Sequence, residues 1–175
     1  MKRPAALALL LLVLVAVWGS VAAGRGGQLR ATPGLPGPRV GQPAPPFALP
    51  ALSGGTVSLV AFRGRPVLLN FWATWCPDCR AELGALGQLQ AQEGGRAVVV
   101  GVDVQQPAEA TALFAARAGV RWPVALDAQG QLAAEYGVDY LPTSFFIDAG
   151  GVIRRIYTGP LTLGRARALL RAAGT

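Results

Sequence analysis

Histidine is missing from this chain of 175 residues, and cysteine occurs only at positions 76 and 79. Structural zinc needs four Cys or His ligands, so no intramolecular zinc site is expected. A purely structural disulfide fits equally poorly, because closing a loop of four residues restricts the unfolded chain very little. Acidic side chains are also scarce, nine against sixteen basic ones, which leaves a net charge of +7. The basic residues are almost all arginine and lie scattered along the chain, without the stripe or cluster expected of a nucleic-acid binder. The length suits one globular unit plus appendages.

What the chain does have is a motif, Asn70-Phe-Trp-Ala-Thr-Trp-Cys76-Pro-Asp-Cys79, set between an apolar run and a helix-like segment. Residues 67–71 are β-branched and aromatic-rich, which predicts a strand buried on both faces, and a helix should follow from about Pro77. Two cysteines at i and i+3 at a helix start are close enough to bond to each other. Cys76 is expected to face solvent near the positive end of the helix dipole, which lowers its pKa and makes it the nucleophile. Cys79, one turn in, is shielded and resolves. The chemistry read from this pair is thiol-disulfide redox.

Residues 5–23 carry no charge over about the length needed to cross a bilayer. The favoured reading is an uncleaved transmembrane anchor over 1–23 with the domain outside. Lys2 and Arg3 support that orientation, while Arg25, Arg30 and Arg39 just beyond the segment work against it. Ser20-Val21-Ala22 also resembles a signal-peptidase site, so a signal peptide is the alternative. No cysteine follows the apolar run, which excludes a lipoprotein anchor. A Gly- and Pro-rich linker is expected over 24–40, with little order as far as Pro46, and the folded domain over 41–175.

Within that domain, 47–52 and 56–60 around Ser53-Gly-Gly read as a hairpin. Residues 97–104 are a second buried strand of the parallel type, and 81–92 between the strands carries Leu83, Leu86 and Leu89 at helical spacing. A helix from Pro107 to about Ala118, a return at 122–127 and a short helix at 131–136 come next. An antiparallel hairpin at 144–148 and 152–157 leads to a last helix over about 162–172, with Leu163, Leu169 and Leu170 inward. The fold class is α/β: a central mixed sheet flanked by helices, with an N-terminal β-hairpin and a helical central insertion.

The stretch from Phe71 through Cys76-Pro-Asp-Cys79 to Glu82, together with Tyr140-Leu-Pro142-Thr-Ser-Phe-Phe-Ile, resembles the thioredoxin superfamily, in particular its membrane-tethered TlpA/ResA-like thiol-disulfide oxidoreductases. The resemblance runs from about Val40 to the C-terminus. It implies a thioredoxin-like fold and a cis proline at Pro142 beside the cysteines, whose backbone helps hold an extended substrate strand; an ordinary strand-leading proline is the plain alternative. It also implies that Glu82 tunes the cysteine pair; here the alternative is a solvated first-turn acid. Asn70 stands where thioredoxin keeps a buried Asp, so a strand carboxylate is unavailable. Trp72 and Trp75 are expected to be core or rim aromatics. The middle dipeptide Pro77-Asp78 departs from the Gly-Pro of cytosolic thioredoxin and the Pro-His of strong periplasmic oxidants, placing an acid beside the thiolate.

The resemblance further implies single-pass attachment to the cell membrane with the catalytic domain extracytoplasmic, and no cofactor. Clients would be proteins with disulfides or thiols, such as apocytochrome c during cytochrome c maturation, with reductant arriving through a membrane thiol-transfer protein. A thiol oxidase or isomerase, or a copper-site assembly reductase, is the nearest rival. A thiol peroxidase is a weaker one, since peroxiredoxins place a threonine three residues before the reactive cysteine and Thr74 is two before Cys76. A copper-binding module of the Sco type would need wider cysteine spacing and a histidine.

Overall fold

The computed structural model describes residues 37–174. The anchor or signal peptide expected over 1–23 and most of the expected linker lie outside the described residues. Among the described residues, no helix is long and apolar enough to cross a membrane.

Strand β3 (Val67–Trp72) is the centre of a five-stranded mixed sheet, and all six of its residues are buried. It pairs in parallel with β4 (Val98–Val104), which pairs in parallel with β5 (Val124–Asp127). On its other side β6 (Thr143–Ile147) runs antiparallel, followed by β7 (Ile153–Thr158), giving the order β5-β4-β3-β6-β7. Side chains alternate between faces along a strand. Val67, Leu69 and Phe71 therefore join Val98, Val100, Val102, Phe145 and Ile147 in one core. Leu68 and Trp72 join Val99 and Phe146 in the other. Asn70, Ser144 and Asp103 fall on the second face by the same alternation, and this is the face the site occupies.

Helices cover that face, two of them around β3 and β6. Helix α1 (Pro77–Glu93) buries Cys79, Glu82, Leu83, Leu86 and Leu89, a stripe at three- and four-residue spacing. Gly94 ends it in the left-handed conformation, φ 55°, where a side chain would be strained. Helix α4 (Leu163–Ala173) is capped by Thr162, whose hydroxyl accepts from the Arg165 N–H. It buries Ala166, Leu170 and Ala173, while Leu163 and Leu169 lie half-buried at the flanks. Leu170 thus faces inward as expected and Leu163 and Leu169 pack at the edges of the core, while Ala166 and Ala173 share the buried face. Gly101 in β4 is small for a packing reason, since a Cβ there would stand 2.8 Å from the Trp72 indole nitrogen.

The expected hairpin forms from β1 (Ala48–Pro50) and β2 (Thr56–Ser58) and adds to the edge of β5 through an Ala51–Ala125 bridge and a Leu52 N–H to Val124 carbonyl bond of 2.9 Å. Its second strand is shorter than expected, because 59–62 turn into a 3-10 helix that buries Leu59 and exposes Val60. Helix α2 (Ala108–Ala118) follows β4, with Pro107 just ahead of it, and α3 (Gln131–Glu135) follows β5. Residues 41–44, expected to be loose, are tied to the hairpin of β6 and β7. Gly41 N–H donates to Ile153, Ala44 N–H donates to Gly151, and Gln42 accepts from Ile153.

Candidate active site

Strand β3 ends at Trp72, and the next four residues carry the chain to the first turn of α1. Cys76 is the residue before that helix, and its Sγ accepts from the Cys79 N–H at 3.1 Å. Pro77 occupies the first helical position, where a missing N–H does no harm. The two cysteines are joined as a disulfide with their Cα atoms 5.3 Å apart. Cys79 is fully buried and Cys76 is 4% exposed. The outer sulfur is therefore covered where the sequence led us to expect it open. Its cover is Leu141, half-buried, whose carbonyl oxygen lies 3.7 Å from Cys76 Sγ.

Leu141 precedes Pro142 through a cis peptide bond. The Pro142 carbonyl accepts from the Gly159 N–H at 2.8 Å, and the carbonyl beside the Cys76 sulfur belongs to Leu141. Two large aromatics flank this junction in solvent: Trp75, beside Cys76, is 66% exposed, and Tyr140, beside Leu141, is 73% exposed.

Glu82 lies one turn beyond Cys79 and is 1% exposed. The alternative of a solvated first-turn acid is thereby removed. Its Oε1 accepts from Asn70 Nδ2 and its Oε2 from the Leu161 N–H, each at 2.8 Å. Burial raises its pKa from 4.5 to about 7; the two hydrogen bonds pull the other way and the charge of Asp78 adds a little. Asn70 Nδ2 also donates to Ser144 Oγ at 3.0 Å, while its Oδ1 is buried without a partner. The amide that replaces a strand carboxylate in β3 thus holds a carboxylate supplied by α1.

A second polar group was not read from the sequence. Asp103, alone in an apolar strand, is 1% exposed, and burial raises its pKa. Its Oδ2 accepts from the Thr111 hydroxyl at 2.6 Å and its Oδ1 from Gln106 Nε2. Gln106 Oε1 in turn accepts from both the N–H and the hydroxyl of Thr74, two residues before Cys76. The lone charge in the run 97–104 was the available signal. Thr74 thus spends its hydroxyl proton on Gln106. Among the described residues no cluster of three or more His, Cys, Asp or Glu is placed to hold a metal ion.

Residues 40–156 match the model of the AhpC/TSA family. The chain is 39% identical over 124 residues to the thiol-disulfide oxidoreductase ResA of Geobacillus thermodenitrificans, covering 70% of this chain and 71% of the relative. It is 38% identical over 125 residues to the thioredoxin-like protein YneN of Bacillus subtilis, covering 70% and 73%. Among solved structures it is similar to a thiol:disulfide interchange protein of the thioredoxin family from Chlorobium tepidum, with a TM-score of 0.70, 27% identity and coverage of 78% and 98%. StoA from Bacillus subtilis gives a TM-score of 0.64 at 26% identity, covering 74% and 98%.

Proposed function

The chain belongs to the AhpC/TSA family of thioredoxin-like proteins and is a thiol-disulfide oxidoreductase of the ResA-like kind; from that premise we propose that it reduces client disulfides, with Cys76 as nucleophile and Cys79 as resolving thiol. The Cys76 thiolate attacks one sulfur of the client disulfide. That S–S bond breaks, and the departing client thiolate takes up a proton. Cys79 then loses its proton and attacks Cys76 Sγ, releasing the second client thiolate and leaving the Cys76–Cys79 disulfide. Two electrons pass from the dithiol to the client.

The observation that carries this reading is the pairing of an outer, helix-capping sulfur with a buried one backed by a carboxyl that ionises near neutrality. Glu82 is assigned the control of the Cys79 proton, since it follows one turn later on the same face of α1. The Leu141 carbonyl lies beside Cys76 and leads through a cis bond into Pro142, and to this junction we assign the holding of an extended client strand between Trp75 and Tyr140. By likeness to the ResA proteins, the client we favour is apocytochrome c before haem attachment, the donor a membrane thiol-transfer protein, and the working place the outer side of the cell membrane.

The roles are tested by trapping. Cys79→Ala keeps a nucleophile without its resolving partner and is expected to accumulate client mixed disulfides through Cys76, seen as reductant-sensitive bands on a gel. Cys76→Ala is expected to trap none. Equal trapping by both variants would contradict the assignment.

A further inference from the structure

Gln105, in the turn from β4 to α2, has φ 56°, the one positive φ among the described residues outside glycine. Such a backbone is disfavoured for a residue with a side chain and persists only where surrounding contacts hold it. The Gln105 N–H donates to the Asp127 carbonyl at 3.0 Å, and its side chain packs against Gly130. The residue that this turn delivers is Gln106, 7% exposed.

The orientation of the Gln106 amide follows from its partners. The Asp103 carboxylate only accepts, and it is already held from α2 by the Thr111 hydroxyl at 2.6 Å. Gln106 must therefore give its Nε2 to Asp103 and turn its Oε1 toward Thr74, which offers an N–H and a hydroxyl. A chain of side chains thus runs from α2 through β4 to the loop before Cys76. That loop is also tied by a Cys76 N–H to Ala73 carbonyl bond of 3.2 Å and by the Cys76 carbonyl accepting from the Arg80 N–H at 3.2 Å.

We propose that Gln106, locked by Asp103 and Thr111, is a positioning residue for thiol-disulfide exchange: it clamps the 74–76 loop so that Cys76 keeps its place as the cap of α1 and Trp75 its place beside the client. The proposal rests on the reading of Cys76 as the nucleophile. Losing the clamp lets Cys76 Sγ leave the Cys79 N–H, and the thiolate loses the donor and the helix end that favour it.

The test is the pH dependence of iodoacetamide alkylation of the reduced full chain, with the alkylated cysteine located by peptide mass mapping and stability followed by urea denaturation. Gln106→Leu is expected to move the Cys76 profile to higher pH and slow alkylation at pH 7 by about fivefold or more. Thr74→Val, which leaves Asp103 and Gln106 joined, is expected to move the profile the same way by less, and Thr74→Ser, which keeps both donors, to restore it. The double variant is expected to equal Gln106→Leu alone, since both changes cut one link. A merely structural role would lower the urea midpoint and leave the Cys76 profile where it is, which overturns the clamp. Should Gln106→Leu fail to fold, an unmoved profile in folded Thr74→Val overturns it as well. Alkylation first at Cys79 would instead overturn the nucleophile assignment, and the clamp with it.

Discussion

Glu82 binds its proton more tightly in the folded chain, with a pKa of about 7, than in the unfolded chain, for which 4.5 is the reference. The stability that this protonation contributes is complete below about pH 4.5 and is lost as pH rises through 7. A displacement of that size corresponds to about 3 kcal/mol across the window. Glu82→Gln has nothing to ionise, and its amide suits the site: Oε1 can accept from the Leu161 N–H, and Nε2 can reach the unpartnered Asn70 Oδ1 if that amide turns over. In urea denaturation with the disulfide intact, wild type is expected to lose stability from pH 5 to 8, whereas Glu82→Gln loses less, keeping only the slope of Asp103, whose pKa burial also raises, and is the more stable at pH 8. An unchanged slope in the variant would mean that Glu82 is not the group responsible. The burial was only half legible: the spacing puts Glu82 in the stripe of Cys79, Leu83, Leu86 and Leu89, but a carboxylate near a helix start is ordinarily solvated, and what encloses this one is Asn70, twelve residues back, and Leu161, seventy-nine residues on.

Helix α1 brings two opposed charges to its first turn. Its N-terminus favours a Cys76 thiolate by about 0.3–2 kcal/mol. Asp78, exposed two residues on, opposes it by about 1 kcal/mol where water screens the pair. The two effects nearly cancel, so the Cys76 pKa is expected nearer a free thiol than the roughly 3.5 of the strongest oxidants. Asp78→His replaces the opposing charge and is expected to lower that pKa, followed by thiolate absorbance at 240 nm, and to make the potential less negative. A variant that becomes more reducing would sink the argument. This helix was legible because its signals are local: two cysteines a turn apart, a proline at the first position, leucines at helical spacing and a glycine pair at the end. Helix α4 was only half legible, since Leu170 marked its buried face while Ala166 and Ala173, which share that face, gave no signal. The link from Asp103 to Thr74 joins side chains of two strands' ends, and periodicity within either segment carries no trace of it.

The described residues 37–174 form the redox domain, and the reading of 1–23 as an anchor rests on its charge-free apolar run. Full-length protein is expected to stay with membranes after a carbonate wash; release of a mature chain beginning near Ala23 would identify a signal peptide. Arginine scattered over the chain agrees with clients met by local contact rather than by a charged track. Everything proposed for the chain's work turns on the direction in which its cysteine pair passes electrons. A thiolate without strong stabilisation leaves the reduced form without the advantage that makes a strong oxidant. Titration of the domain against glutathione or dithiothreitol buffers measures this directly. A potential toward roughly −270 mV is expected of a reductant, and one near roughly −120 mV would contradict the account.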